Sequence, residues 1–304
     1  MRNVLTTENL DKKYGKNHVL KGLTMTVPEG CIYGFVGRNG AGKTTLMRII
    51  CGLQATTSGE YSLFGVKNSD SGIRQSRKKM GAIVESPSIY KNMTAEENLR
   101  EQYMILGLPT FEGIDHILQL VGLDKIGDKK AGNFSLGMKQ RLGIAVALCG
   151  NPEFLVLDEP VNGLDLQGII EIRELILKLN KEMNITFLIS SHILDELAKI
   201  ATHYGFINNG RIIKEISAAE LEQASRKRTR IEVSNPDSLS AVLDANHVEY
   251  KKLREQIIEV YGEININKLM IELTQYDCQV LSINIAEESL ESYFMKLVGE
   301  TEHA

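Results

Sequence analysis

Hydrophobic and polar positions divide the chain into stretches of different period. Val4–Leu10 and Val19–Val27 carry the patterning of strands, with a turn at Tyr14-Gly15-Lys16 and a stop at Pro28-Glu29-Gly30. Cys31–Val36 is then apolar almost without interruption, as in a buried strand, and Leu46–Leu53 has helical spacing that ends near Gly52. Ser58–Gly65 predicts a further antiparallel strand and Met80–Val84 a short apolar one.

From Thr94 the period becomes helical. Thr94-Ala95-Glu96-Glu97 is a capping box that opens a helix through Leu106. Two more amphipathic helices are expected over Phe111–Gly122 and Leu136–Cys149, the latter stopped by Gly150-Asn151-Pro152. Phe154–Leu157 is continuously apolar, the signature of a strand buried on both faces of a parallel sheet. A helix over Gln167–Met183, a strand over Ile185–Ile189 and a helix over Ile193–Thr202 follow. Tyr204–Ile207 and Arg211–Glu215 then form a hairpin around Asn208-Asn209-Gly210.

Past Ser225 the order becomes strand (Arg230–Ser234), helix (Pro236–Asn246), two strands (Glu249–Arg254, Ile257–Tyr261), helix (Ile266–Tyr276), strand (Gln279–Ile285) and helix (Leu290–Val298). This β-α-β-β-α-β series predicts a small ferredoxin-like α+β domain over residues 226–304, behind a larger α/β domain over 1–220.

Composition changes this picture little. The 304 residues are 43% apolar and 24% charged, as in ordinary globular proteins. Met183–Leu194 is among the longest charge-free runs, well short of the roughly 20 apolar residues of a membrane helix. The N-terminus lacks the apolar core of a signal peptide. Net charge is −4, and residues 226–304 alone hold nine Lys/Arg against fourteen Asp/Glu. The basic cluster Arg226-Lys227-Arg228-Thr229-Arg230 reads as a solvated linker. Cys31, Cys51, Cys149 and Cys278 are scattered without a C-x-x-C pair, as expected of core residues in a reducing compartment.

The chemistry begins at Gly37-Arg38-Asn39-Gly40-Ala41-Gly42-Lys43-Thr44-Thr45, which fits the G-x-x-x-x-G-K-[ST] phosphate-binding pattern between a strand and a helix. Glycines let consecutive N–H groups point inward at phosphate oxygens, and the helix N-terminus adds unpaired donors. Lys43 is expected to reach the β- and γ-phosphates and Thr44 to ligate Mg²⁺. The expected ligand is a nucleoside triphosphate.

Further motifs follow in a fixed order. Phe154–Leu157 ends in Asp158-Glu159; Ser135-Leu136-Gly137-Met138-Lys139-Gln140-Arg141 precedes it; Asn162-Gly163-Leu164-Asp165 and Ser190-Ser191-His192 come after; Tyr14 lies 23 residues before Gly37. Over residues 2 to about 220 this set resembles the ATP-binding subunit of an ABC transporter. The resemblance implies a RecA-like P-loop NTPase core with an antiparallel β-subdomain and an inserted helical subdomain at about 94–150. It also implies roles. Asp158 would hold Mg²⁺, Glu159 would act as general base on the attacking water, and His192 would touch the γ-phosphate or that water. Tyr14 would stack on adenine, while Ser135 and Gly137 would meet the γ-phosphate of a second subunit, with Asp165 coupling the two sites.

Two departures narrow the resemblance. Leu136 and Met138 replace a glycine and a glutamine of the usual Leu-Ser-Gly-Gly-Gln signature, and Glu85 stands where the family normally has a glutamine that contacts Mg²⁺. Both resemble the bacitracin-resistance and lantibiotic-immunity exporters. By that resemblance the chain hydrolyses ATP, pairs with a second copy or a paralogue, and drives a separate permease at the inner face of the cell membrane. Its only membrane contact is through that permease. A ribosome- or nucleic-acid-associated ATPase is the alternative, but the chain shows neither a second cassette nor a zinc motif. A second alternative is a binding module in which the acidic C-terminal residues regulate and ATP only sets the conformation.

Overall fold

Burial of whole apolar strands organises the molecule. The computed structural model describes residues 2–224, 228–254, 256–262, 264–276, 278–286 and 290–302. Arg226 and Lys227 of the basic cluster lie outside the described residues. The chain forms two compact units, Met1–Ala218 with Thr301–Ala304, and Ala219–Glu300.

In the first unit β1 (Asn3–Tyr14) and β2 (Asn17–Pro28) form a long antiparallel pair. β3 (Ile32–Val36) leads into α1 (Lys43–Ile50). β4 (Ser58–Leu63), β5 (Val66–Lys67), α2 (Ile73–Arg77) and β6 (Met80–Ile83) follow. Three helices come next: α3 (Ala95–Leu106), α4 (Ile114–Leu120) and α5 (Leu136–Leu148). β7 (Phe154–Asp158), α6 (Leu166–Met183), β8 (Thr186–Ser191), α7 (Leu194–Ala198), β9 (His203–Asn208) and β10 (Arg211–Ser217) complete it, and α8 spans Ala218–Ala224.

A six-stranded sheet in the order β10-β9-β3-β8-β7-β6 is parallel except for the β9–β10 hairpin. Every residue of β3, β7 and β8 is buried, which is why β3 and Phe154–Leu157 of β7 read as apolar runs, while β8 keeps Phe187, Leu188 and Ile189 between buried hydroxyl residues. A second, antiparallel sheet runs β2-β1-β4-β5. α3 starts on the expected capping box: Glu97 N–H donates to Thr94 Oγ1 at 3.1 Å and Thr94 N–H to Glu97 Oε2 at 2.6 Å. Its left-handed Gly107 ends it.

The second unit contains β11 (Arg228–Val233), α9 (Pro236–Ala245), β12 (Tyr250–Arg254), β13 (Ile257–Tyr261), α10 (Ile266–Thr274), β14 (Val280–Ala286) and most of α11 (Leu290–Glu302). Its antiparallel sheet runs β12-β13-β11-β14 over a core that includes Ile231, Val233, Leu239, Ile258 and Leu273. Asn235 and Asn265 cap α9 and α10 through their side-chain oxygens.

All four cysteines are free. Burial pushes the thiols of Cys31, Cys51 and Cys149 up to about 12, so they stay protonated at neutral pH. Among the described residues no helix is long and apolar enough to cross a membrane.

Candidate active site

The turn from β3 into α1 is shaped by close packing. A side chain on Gly37 would meet Ile207 Cγ2 at 2.5 Å and the Ile207 carbonyl oxygen at 2.6 Å, so the loop can lie against β9 only with glycine there. Gly42 caps α1 with φ +111°, a conformation closed to side chains in practice. The loop is also tied to the β9–β10 hairpin, where Gly210 N–H donates to the Ala41 carbonyl at 3.1 Å. Asn39 and Gly40 form the exposed tip, and Thr45 lies half-buried on the first turn of α1. Helix first turns leave N–H groups without intrahelical partners, and a phosphate is the natural acceptor for them.

Lys43 is buried at this turn. Its ammonium donates to the Gly37 carbonyl at 2.6 Å and stands 3.6 Å from Glu159 Oε1. The Thr44 hydroxyl donates to Asp158 Oδ2 at 2.8 Å. A hydroxyl and a buried carboxylate in contact are hard oxygen donors, and they fit Mg²⁺, which takes a few protein oxygens and completes its shell with phosphate and water. Bound there, the ion would neutralise phosphate charge.

Asp158 and Glu159 are organised by a residue that the sequence reading passed over. β7 and β8 pair with Asp158 opposite Ser190. Ser190 Oγ donates to Asp158 Oδ1 at 2.6 Å and accepts from Glu159 N–H at 2.9 Å. Glu159 itself is left-handed, φ +51°, a strained setting for a residue with a side chain. Its Oε2 accepts from His192 N–H at 3.2 Å and contacts His192 Nδ1 at 2.7 Å. One carboxylate is thus held between an ammonium and an imidazole, with Asp158 and Thr44 adjacent. This arrangement can orient and deprotonate a water beside a phosphate.

Ser190→Ala should leave two buried polar groups short of a partner. We expect a loss of about 1–3 kcal/mol in stability and a fall in ATP turnover of about 10–100-fold. Chemical denaturation with phosphate-release kinetics would check both. The only advance signal was a hydroxyl at a strand end two residues before His192.

The other candidate residues lie elsewhere in the unit. Tyr14 ends β1 partly exposed, its hydroxyl donating to the Gln54 side chain and its ring 5.0 Å from the Lys12 ammonium. Nearby, the hydrogen bond from His18 holds the Asp11 carboxyl below its ordinary range. Ser135 is the N-cap of α5 and accepts from Met138 N–H at 3.2 Å. A side chain on Gly137 would meet nothing closer than Gly168 Cα at 3.8 Å, so packing within the chain does not demand glycine there. Asp165 caps α6, accepting from Gly168 N–H at 2.9 Å. The structure does not join Glu85 to Thr44 and Asp158 by a hydrogen bond; its carboxylate is ion-paired with Arg48 of α1.

Comparison with known proteins gives a consistent result. A family described as "ABC transporter" matches residues 20–162. The bacitracin transport ATP-binding protein BcrA of Bacillus licheniformis is 43% identical over 98% of this chain and 98% of its own length. The lantibiotic transport ATP-binding protein SrtF of Streptococcus pyogenes is 44% identical over 70% of this chain and 90% of its own. Among solved structures, the ADP conformation of MJ1267, an ATP-binding cassette of an ABC transporter, superposes with a TM-score of 0.67 at 28% identity, covering 74% of this chain and 95% of that one.

Proposed function

Since the chain belongs to the family of ABC transporter ATP-binding proteins, we propose that it spends ATP on exporting an antimicrobial peptide of the bacitracin or lantibiotic type, through a separate permease, for resistance or immunity. The observation that carries the ATPase chemistry is the Glu159 carboxylate held between Lys43 and His192. Glu159 is the general base, His192 its positioning partner at the γ-phosphate, and Lys43 the phosphate ligand. Thr44, Asp158 and Glu85 are the donors for Mg²⁺, while Gly37, Asn39, Gly40, Ala41, Gly42 and Thr45 supply the phosphate loop.

Residues 1–220 are the cassette, with the helical subdomain at 94–150, and 226–304 are an accessory domain. Two cassettes face each other, so that Ser135 and Gly137 of one close on the ATP of the other, Asp165 links the two sites and Tyr14 stacks on adenine. The free space around Gly137 supports this, because a glycine that its own chain does not require suits close approach by something else. The complex works at the cytoplasmic face of the membrane.

Coverage bears on the class of cargo. The lantibiotic relative matches 212 residues, about the length of the first unit, whereas the bacitracin relative matches nearly the whole chain. Full-length coverage extends likewise to the linearmycin resistance ATP-binding protein LnrL of Bacillus subtilis, so it supports export for resistance rather than one cargo.

The test is purification of the tagged chain from its native host in mild detergent. The permease docks in the groove near Glu85, so a co-purifying multi-span membrane protein, lost when Glu85 or the adjoining Ser86 is changed, is the expected result. Recovery of ribosomal or nucleic-acid material without a membrane protein would replace this reading with the alternative.

A further inference from the structure

Three observations converge on Arg48. It stands four residues after Thr44 on α1, so the hydroxyl and the guanidinium share one helix face, with Cβ atoms about 5–6 Å apart. β6 pairs with β7 in the register Ile83 opposite Leu157. β6 stops there, so Glu85 follows two residues beyond the strand that pairs with β7, while Asp158 closes β7 itself. The third observation is backbone geometry. Ser86 N–H donates to the Val84 carbonyl at 3.0 Å around Glu85, whose φ is +69°. A three-residue turn of positive φ is rare and strained, and such turns concentrate at switching segments.

The Glu85 side chain is 60% exposed and partnered by the Arg48 guanidinium. It is therefore tied to the helix that carries Thr44, through an arginine one turn on from that residue, and its backbone lies in a strained turn. We propose that Arg48 is a positioning residue that holds Glu85 back from the metal, so that guanidinium and cation compete for one carboxylate. The proposal rests on the reading of Thr44, Asp158 and Glu85 as metal donors. Both competitors are positive, but the hold of Arg48 on the side chain needs the negative charge of glutamate, whereas a metal can also take a neutral amide oxygen. A glutamine at position 85 carries no such charge, so neither the ion pair nor the competition would survive the change. The glutamate at this position thereby acquires a function: it makes metal engagement conditional on release from α1.

The test measures metal binding without turnover. Mn²⁺ is titrated into the full-length protein with a non-hydrolysable ATP analogue, and free Mn²⁺ is read by electron paramagnetic resonance. Arg48→Met should tighten Mn²⁺ about threefold to fivefold, the range of an exposed ion pair. Arg48→Lys, which keeps the charge, should stay near wild type. In a Glu85→Gln background Arg48→Met should produce no tightening. An unchanged affinity in R48M, or equal tightening in both backgrounds, overturns the proposal. Thr44→Ala and Asp158→Asn separate the two levels. If either weakens Mn²⁺ more than tenfold while R48M does nothing, only the role of Arg48 fails. If neither weakens it, the metal reading fails and the proposal with it.

Discussion

Glu159→Gln is expected to lower ATP turnover by about 10²–10⁴-fold, the usual contribution of a positioned general base, while leaving ATP affinity within a few-fold of wild type. The amide preserves shape and can still accept from the His192 N–H, but it cannot take a proton from water. Phosphate release and equilibrium titration with a fluorescent nucleotide would give the two numbers separately. Turnover retained within tenfold would remove Glu159 from the chemistry. Glu159→Gly adds a second arm. Glutamate here occupies a left-handed conformation that glycine adopts without strain. We therefore expect the glycine variant to be as inactive as E159Q yet to unfold no earlier than it does. That combination would show the backbone strain is kept for the reaction and not for the fold.

The second large effect is expected far from the motif in sequence. Gly210 has φ +81°, and a side chain there would meet the Val19 carbonyl oxygen at 2.1 Å. Its N–H donates to Ala41 of the phosphate loop, and its carbonyl accepts from Lys21 N–H at 2.9 Å. Gly210→Ala combines a left-handed penalty with a backbone clash, about 2–4 kcal/mol of lost stability together. It should also move the Ala41 carbonyl and raise the nucleotide Kd by about tenfold. Denaturant unfolding and nucleotide titration at a temperature where the variant remains folded would check both. A destabilised protein with unaltered nucleotide affinity would make the hairpin a scaffold without influence on the loop.

What could be read from the sequence was local. The phosphate loop, the Asp158-Glu159 pair and the capping box at Thr94 are each written in a few consecutive residues, and the structure places them at strand ends and a helix start. Ser190, Gly210 and Arg48 were not legible in the same way. Each acts on a partner brought close only by the sheet or by α1, and each residue type has many ordinary uses. Short elements were missed for a different reason: β5, α2 and α8 are too brief to show a period. β1 extends past Leu10 to Tyr14 because Asp11–Tyr14 pair with β2 or β4 through bulged register, which breaks the alternation that would have marked them.

The position of β3 in its sheet has a consequence for how the protein is made. β3 lies between β8 and β9, yet it leaves the ribosome long before either. At about 5–20 residues per second, its five buried positions wait on the order of ten seconds or more with both edges unpaired. The α3–α5 segment, built from contacts between near neighbours in sequence, can collapse during that interval. An apolar strand with two open edges invites pairing with other nascent chains. Biogenesis should accordingly depend on a holdase that shelters β3 until β9 emerges, and chains truncated before His203 should be recovered mainly in aggregates.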